Sequence, residues 1–439
     1  MSSVYYAKVI VVVGTFEDYR QQLIQLAGPG MDVGVLQVGV HEALVRPHLL
    51  RQIRSRHPGV ALDQLLREAG ANRIDWIKEE VVHTLYLQRI VEDLDPQIAI
   101  PAPDAAGGRA WHLQAVNVSI AWNAVGGPDA IDWQGVRVGQ LDTGYTRHKA
   151  YGHGQPGGTW LRQDLCRTIM ASDLPTDFFP PVAQPDDGVD SMPPAGLFRG
   201  HGTRIGTTIS GHAALDGGFT FRGVAPRVPH VVVRITDSVA INNRQNEFAE
   251  GLRYLVDEAK VDVVNVSLGV FPPVAAPAMK QAVAHAHARG VILVCAAGNH
   301  VDPVVAPARL SETIAVAGVT WQSLPWHGSS FGPEVDFSAP AAAIYRPDAV
   351  PQGIGTQFKD GGDGTSYAAA ITTGSAALWL RRWGPQIEAK YGRNASRVEA
   401  FRQAAIASCR KPPGWQPQPF GAGIIDTGRL CTEAALALP

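Results

Sequence analysis

Five short apolar runs constrain this chain more than any other feature: GVRVGQLD (135–142), HVVVRI (230–235), VDVVNVSL (261–268), VILVCAAG (291–298) and TIAVAGV (313–319). Their Val, Ile and Leu residues follow one another with little polar alternation. That pattern belongs to parallel strands covered on both faces, because a strand with one wet face alternates apolar and polar residues. Helical segments separate the runs, notably NEFAEGLRYLVDEAKV (246–261) and APAMKQAVAHAHARG (276–290). The second ends on Gly290, a residue suited to the left-handed position after a helix. The alternation predicts an α/β fold: a doubly wound, mostly parallel sheet with helices on both faces.

Residues 1–108 have a different texture and are expected to form a smaller N-terminal α+β domain. The patterns predict a strand over 5–13, a helix over 16–28 and a strand over 32–40. Two helices are expected within 48–70, broken at His57-Pro58-Gly59. Residues 74–94 read as a long helix, with a strand left open by their β-branched and aromatic content. A Pro/Ala/Gly stretch at 95–110 reads as a linker, which divides the chain into 1–108 and 109–439. Within the second part, about 148–200 is rich in Pro, Asp and Gly and reads as a surface insertion: a lid, an exosite or a neutral loop.

The totals exclude several classes. Of 439 residues, 45% are apolar and 18% charged, and the formal net charge is −2. That balance gives no electrostatic case for nucleic acid or an anionic membrane as partner. No apolar run reaches the length of a transmembrane helix. The amino terminus lacks a basic n-region and a small-residue cleavage signal, so Val9 to Val13 reads as strand and a cytoplasmic location is expected. Cys166, Cys295, Cys409 and Cys431 show no metal-type spacing; Cys409 and Cys431 are close enough in the chain to pair. His285 and His287, two apart on a helix, face different ways, and no HExxH is present, so no metal ligand set is specified.

Four local motifs carry chemistry. Asp142 ends an apolar run at Leu141-Asp142-Thr143-Gly144, where open α/β sheets bind ligands; an Asp capping the next turn is the plainer reading. His201 sits between Gly200 and Gly202 at the head of a small-residue helix, with glycines that leave its ring room to meet a nucleophile. Asn299 ends the run Cys295-Ala296-Ala297-Gly298, placed either as a turn residue or as an amide donor to an oxyanion. Ser366 lies in Gly364-Thr365-Ser366 before another small-residue helix, either as an N-cap or as a nucleophile at a helix N-terminus.

Together these supply acid, base, oxyanion donor and hydroxyl in the chain order Asp, His, Asn, Ser. Residues 111–439 resemble the subtilisin-like serine proteases, the subtilases of peptidase family S8. VGQLDTGY resembles the family's aspartate motif, GHGTRIGTTISG its histidine motif, CAAGN its oxyanion asparagine and GTSYAAA its serine motif. The resemblance implies a subtilisin-like fold and a serine endopeptidase with the triad Asp142, His201 and Ser366 and with Asn299 in the oxyanion hole. It implies an extended protein or peptide substrate lying along Ser267, Leu268 and Gly269, with Ala296, Ala297 and Gly298 on the other side. Arg204 stands where the family has a second histidine and Ala370 where it often has a proline; neither position moves protons.

The same resemblance implies that no cofactor is required for the chemistry, with structural calcium common in the family but no ligand spacing here to assign it. It also implies that the N-terminal domain controls the enzyme. Two readings stay open: a propeptide that inhibits in cis until cut away, or a retained domain that binds a regulator. A non-catalytic peptide-binding protein with a subtilase fold is the alternative from another class.

Overall fold

The computed structural model describes residues 5–11, 16–28, 35–39, 42–45, 47–78, 108–169, 186–191, 198–271, 273–301, 303–350 and 353–433. The chain divides into two compact units, Met1–Ile90 and Val91–Pro439.

In the first unit, β1 (Tyr5–Val11), β2 (Val35–Gly39), β3 (Glu42–Val45) and β4 (Ala71–Lys78) form an antiparallel sheet in the order β2-β3-β1-β4. Helices Phe16–Ala27, Pro47–Arg56 and Leu62–Glu68 bury Tyr19, Leu23, Leu49, Ile53 and Leu66 together with Val45 and Ala71. The break at 57–59 falls where the sequence places it. The helix expected from residue 74 does not form over 74–78; that segment is part of β4 and pairs with β1, Ile74 opposite Val9. The local pattern tolerated either state, and the ladder to β1 decided it. The remainder of 74–94 lies outside the described residues.

The second unit is built on a seven-stranded sheet. Its members are β5 (Val138–Asp142), β6 (Arg167–Thr168), β9 (His230–Arg234), β10 (Val263–Val266), β11 (Ile292–Ala296), β12 (Ile314–Val319) and β13 (Phe337–Pro340). The order is β13-β12-β11-β10-β5-β9-β6, and every pairing is parallel. Two hairpins, β7 (Ala214–Asp216) with β8 (Phe219–Phe221) and β14 (Ile344–Pro347) with β15 (Phe358–Gly362), lie outside it.

Successive residues of one strand enter different cores, as the two-residue repeat requires. Val263, Ile292, Val294 and Val316 pack with Ile205 and Ile209 of the helix His201–Ser210 and with Ile371 and Leu378 of the helix Thr365–Tyr391. Val264, Val266, Leu293 and Ala315 pack with Phe248 and Leu252 of the helix Gln245–Asp257 and Met279 and Val283 of the helix Pro277–Ala288. Burial on both faces is the reason the runs carry so few polar residues. The mostly parallel α/β sheet with helices on both faces expected from the sequence is the one observed.

The insertion is more deeply built in than a surface loop. Arg167–Thr168 is one edge strand of the sheet, and Leu161 and Cys166 are buried with Tyr145, Tyr151 and Val232. Scattered apolar residues without a period concealed this; residues 170–185 and 192–197 lie outside the described residues. All four cysteines are free and buried, so Cys409 and Cys431 are not paired. Burial pushes the Cys166 thiol up to about 11 and that of Cys409 up to about 12. His285 and His287 do face apart, His285 to Asp257 at 2.9 Å and His287 to Glu399 at 3.2 Å.

Buried histidines, His230 and His112 among them, make the fold acid-sensitive. Burial lowers His230 to about 3 and His112 to about 4. The unfolded chain protonates such side chains near pH 6.5, so between that value and the folded values it binds more protons than the native state. Stability is therefore expected to fall as pH drops from about 6.5 towards 4. Urea unfolding midpoints across that range should show this, with a shallower fall in His230→Asn.

Candidate active site

The four motifs meet at the carboxyl end of the sheet as two hydrogen-bonded pairs, Asp142 with His201 and Asn299 with Thr365 beside Ser366. Asp142, the last residue of β5, is fully buried. Its Oδ1 accepts the Thr143 N–H at 2.7 Å and is 2.6 Å from His201 Nδ1, and its Oδ2 accepts the Gln140 side-chain N–H at 3.0 Å. A carboxylate so far from water needs such donors, because unpaired burial of the charge is costly. Since Asp142 accepts, His201 carries its proton on Nδ1, which leaves Nε2 as the acceptor end of the neutral ring.

His201 opens its helix directly after Gly200, whose φ of 74° is left-handed. The flanking glycines serve backbone approach rather than room for the ring. A Cβ at Gly200 would stand 2.0 Å from Ala349 Cβ, and one at Gly202 would stand 1.9 Å from the Gly144 carbonyl oxygen. Only glycine lets the helix close on the turn that follows Asp142. The insertion helps to hold that helix start: Asp190 Oδ2 accepts the Gly200 N–H at 2.6 Å, and Asp190 N–H donates to Tyr145 O at 2.8 Å.

Ser366 is the second residue of the helix Thr365–Tyr391, and the N-cap is Gly364, so the capping reading of this serine does not hold. The helix packs along the histidine helix. Ser267 Oγ–H donates to the Ser366 carbonyl at 3.1 Å, tying the end of β10 to the helix start. Asn299 follows β11 with its orientation set by Thr365, whose N–H and hydroxyl both donate to Asn299 Oδ1 at 2.8 and 2.7 Å. The amide NH₂ therefore points the other way. A Cβ at Gly364, where φ is 144°, would stand 3.3 Å from Asn299 Nδ2, 3.7 Å from Ser366 N and 3.8 Å from Ser366 Cβ. Two N–H donors and the serine thus border one gap that stays open because residue 364 has no side chain.

The six expected substrate-lining residues follow two neighbouring strands, Ser267 to Gly269 after β10 and Ala296 to Gly298 at the end of β11. Ser267, Leu268, Ala296 and Ala297 are buried; Gly269 and Gly298 are half-buried. Gly269 is not an open strand edge, as its N–H donates to Val239 O at 2.8 Å and its carbonyl accepts from Ile241 N–H at 2.9 Å. Residues 239–241 occupy that edge because the loop after β9 turns back along it, a tertiary contact without a sequence signal.

Sequence reasoning passed over Gln140. It is fully buried, and besides Asp142 its amide N–H reaches the Gly202 carbonyl at 3.0 Å. The signal was present: an amide inside a run that is otherwise apolar and destined for burial on both faces. A second serine–histidine contact, Ser210 to His230 at 3.0 Å, is structural. His230 lies opposite Val138 at the amino end of β5, four residues from the Asp142 end.

Comparison with known proteins agrees with this arrangement. A sequence model of the Subtilase family matches residues 134–408. Subtilisin DY of Bacillus licheniformis is 32% identical over 201 residues, 45% of this chain and 68% of that protein. The major intracellular serine protease of Bacillus subtilis is 32% identical over 212 residues, covering 47% of this chain and 61% of the relative. Among solved structures, a protease of Pseudoalteromonas arctica aligns with a TM-score of 0.58 at 21% identity, over 75% of this chain and 97% of that one. MycP1 with its N-terminal propeptide removed aligns at 0.53 and 20% identity, over 73% and 96%. With the family matched across more than half its length and the aspartate–histidine pair in place, this chain belongs to the subtilase family of serine proteases.

Proposed function

We propose that this chain is a serine endopeptidase that hydrolyses peptide bonds through an acyl-enzyme, with Asp142, His201 and Ser366 as its triad. The observation that carries the reading is the buried Asp142–His201 hydrogen bond, set beside a gap bordered by Ser366 and two N–H donors. Asp142 holds the imidazole by Nδ1, so Nε2 serves as the base. It takes the Ser366 hydroxyl proton as Oγ attacks the scissile carbonyl, then delivers that proton to the leaving amine. Water repeats the sequence to release the acyl group. The oxyanion is received by Asn299 Nδ2 and the Ser366 N–H, at the positive end of a long helix. Every group in this scheme belongs to the chain, and no cofactor enters it. A protein or peptide segment is the substrate; where it pairs along Gly269 it displaces residues 239–241.

The first unit is read as a domain that controls access to Ser366. The solved neighbour MycP1 is known with its N-terminal propeptide removed, which supports a propeptide here. Incubated side by side, wild-type chain and Ser366→Ala should differ by a cut near residues 100–112, made only by the wild type. A stable, active full-length chain would instead support a retained regulatory domain.

Ser366→Ala should lower turnover of a peptide substrate roughly 10⁶-fold. It should also abolish covalent labelling by an organofluorophosphonate, whereas persisting peptidase activity would refute the assignment. Wild-type protein that resists the probe would favour a non-catalytic peptide-binding module. Asn299→Ala should cost about 10²–10³-fold in kcat, most of it in the transition state.

Gln140 is assigned as a positioning residue. In Gln140→Leu, Asp142 loses one donor and holds the His201 imidazolium proton more tightly. The acidic limb of the kcat/KM profile should then move to higher pH, with activity reduced about tenfold for one lost charge-assisted hydrogen bond. A loss of activity with no shift of the limb would mean that Gln140 serves stability alone.

A further inference from the structure

The segments 267–269 and 296–298 leave adjacent parallel strands and both reach the start of the serine helix. Ser267 Oγ bonds the Ser366 carbonyl at 3.1 Å, and the Gly298 N–H donates to Thr365 Oγ1 at 3.2 Å. The space between the two backbones is therefore the space beside a carbonyl held by Asn299 and Ser366. Each wall ends in a glycine, Gly269 or Gly298, which by itself leaves a flat-sided slot able to admit a large side chain.

That slot is filled from its far end. Residues 304–306 cross it, with the Val305 N–H donating to Ala297 O at 2.9 Å and the Val270 N–H to Ala306 O at 2.8 Å. The Val305 side chain projects between the walls. Its Cγ2 lies 2.8 Å from where a Gly269 Cβ would stand, and its Cγ1 lies 2.7 Å from the corresponding point on Gly298. Val304, Val305 and Ala306 are all buried, so the valine rests on close-packed neighbours and has no room to withdraw. The two glycines are needed to accommodate the valine itself.

Building on the peptidase reading, we propose that Val305 is a specificity-determining residue: it floors the slot between 267–269 and 296–298 and restricts cleavage to bonds that follow a small residue, Gly, Ala or Ser. An aromatic or long aliphatic side chain would need the volume that the two valine methyls occupy. Each methylene that a pocket cannot house costs about 10–200-fold in kcat/KM.

The test uses the full chain and a peptide series that differs only in the residue before the scissile bond, Ala, Leu or Phe. Wild type should cleave the Ala peptide at least about 100-fold more efficiently than the Phe peptide. Val305→Gly should raise the kcat/KM ratio of the Phe peptide to the Ala peptide by about tenfold or more. Val305→Ala, the gentler change, should raise Leu first. Fluorophosphonate labelling of Ser366 shows which variants retain a formed site. A wild type that cleaves the Phe peptide as well as the Ala peptide would overturn the inference and leave the peptidase reading intact. So would labelled variants whose preference matches wild type. If no peptide is cleaved and Ser366 resists the probe, the peptidase reading fails and takes this inference with it.

Discussion

A carboxylate with no exposure to water lies at the centre of this structure, and much of the second unit is arranged around its needs. Asp142 ends the strand that lies between β10 and β9, so solvent cannot reach it from either side of the sheet. Its charge is met by the Thr143 N–H, the Gln140 amide and the His201 ring. Those three bonds fix the turn after β5, the side chain two residues earlier in the strand and the first residue of a helix from a distant part of the chain. Removing any one would leave a buried lone pair without its donor, which is costly in a medium of low dielectric. The same bonds set the histidine tautomer, so the carboxyl group that the fold must satisfy is also the one that orients the proposed base.

Close approach is the second requirement, and small residues meet it. The histidine helix reaches the Asp142 turn because Gly202 has no side chain, and one turn later Gly206 admits the Tyr151 hydroxyl, 1.8 Å from where its Cβ would be. Gly374 of the serine helix makes room for Val224, 2.6 Å from its own missing Cβ. Helices that pack this closely hold side chains with little slack, as a preorganised site demands. Where a glycine is matched by a bulky neighbour, as Gly269 and Gly298 are by Val305, the freed volume is already spoken for. Glycine in a motif therefore signals close packing at least as often as open space.

Much of the fold was legible because its strands are buried on both faces and so read as uninterrupted apolar runs. The exceptions share one cause. Arg167–Thr168 and Phe337–Pro340 are short edge strands with no run to see, and residues 74–78 could be helix or strand until β1 lay beside them. At the candidate site, Asp142, His201, Asn299 and Ser366 were singled out because each stands in a local pattern with chemical meaning. Gln140 and Val305 were not singled out, since what they do depends on the atoms they meet. One lies behind a carboxylate from its own strand, and the other lies between Gly269 and Gly298, which are distant in the chain.

The amino-acid sequence alone determined the order of the reactive groups, the parallel sheet that presents them and the small residues that let the helices close. Those properties are local: they follow from side-chain type, periodicity and spacing along the chain. Tertiary structure alone decided that Gly364 rather than Ser366 caps the serine helix, that residues 239–241 occupy the edge at Gly269, and that Val305 lies between Gly269 and Gly298. Each of these depends on which distant backbone arrives at a given point, and no periodicity in a single chain records that.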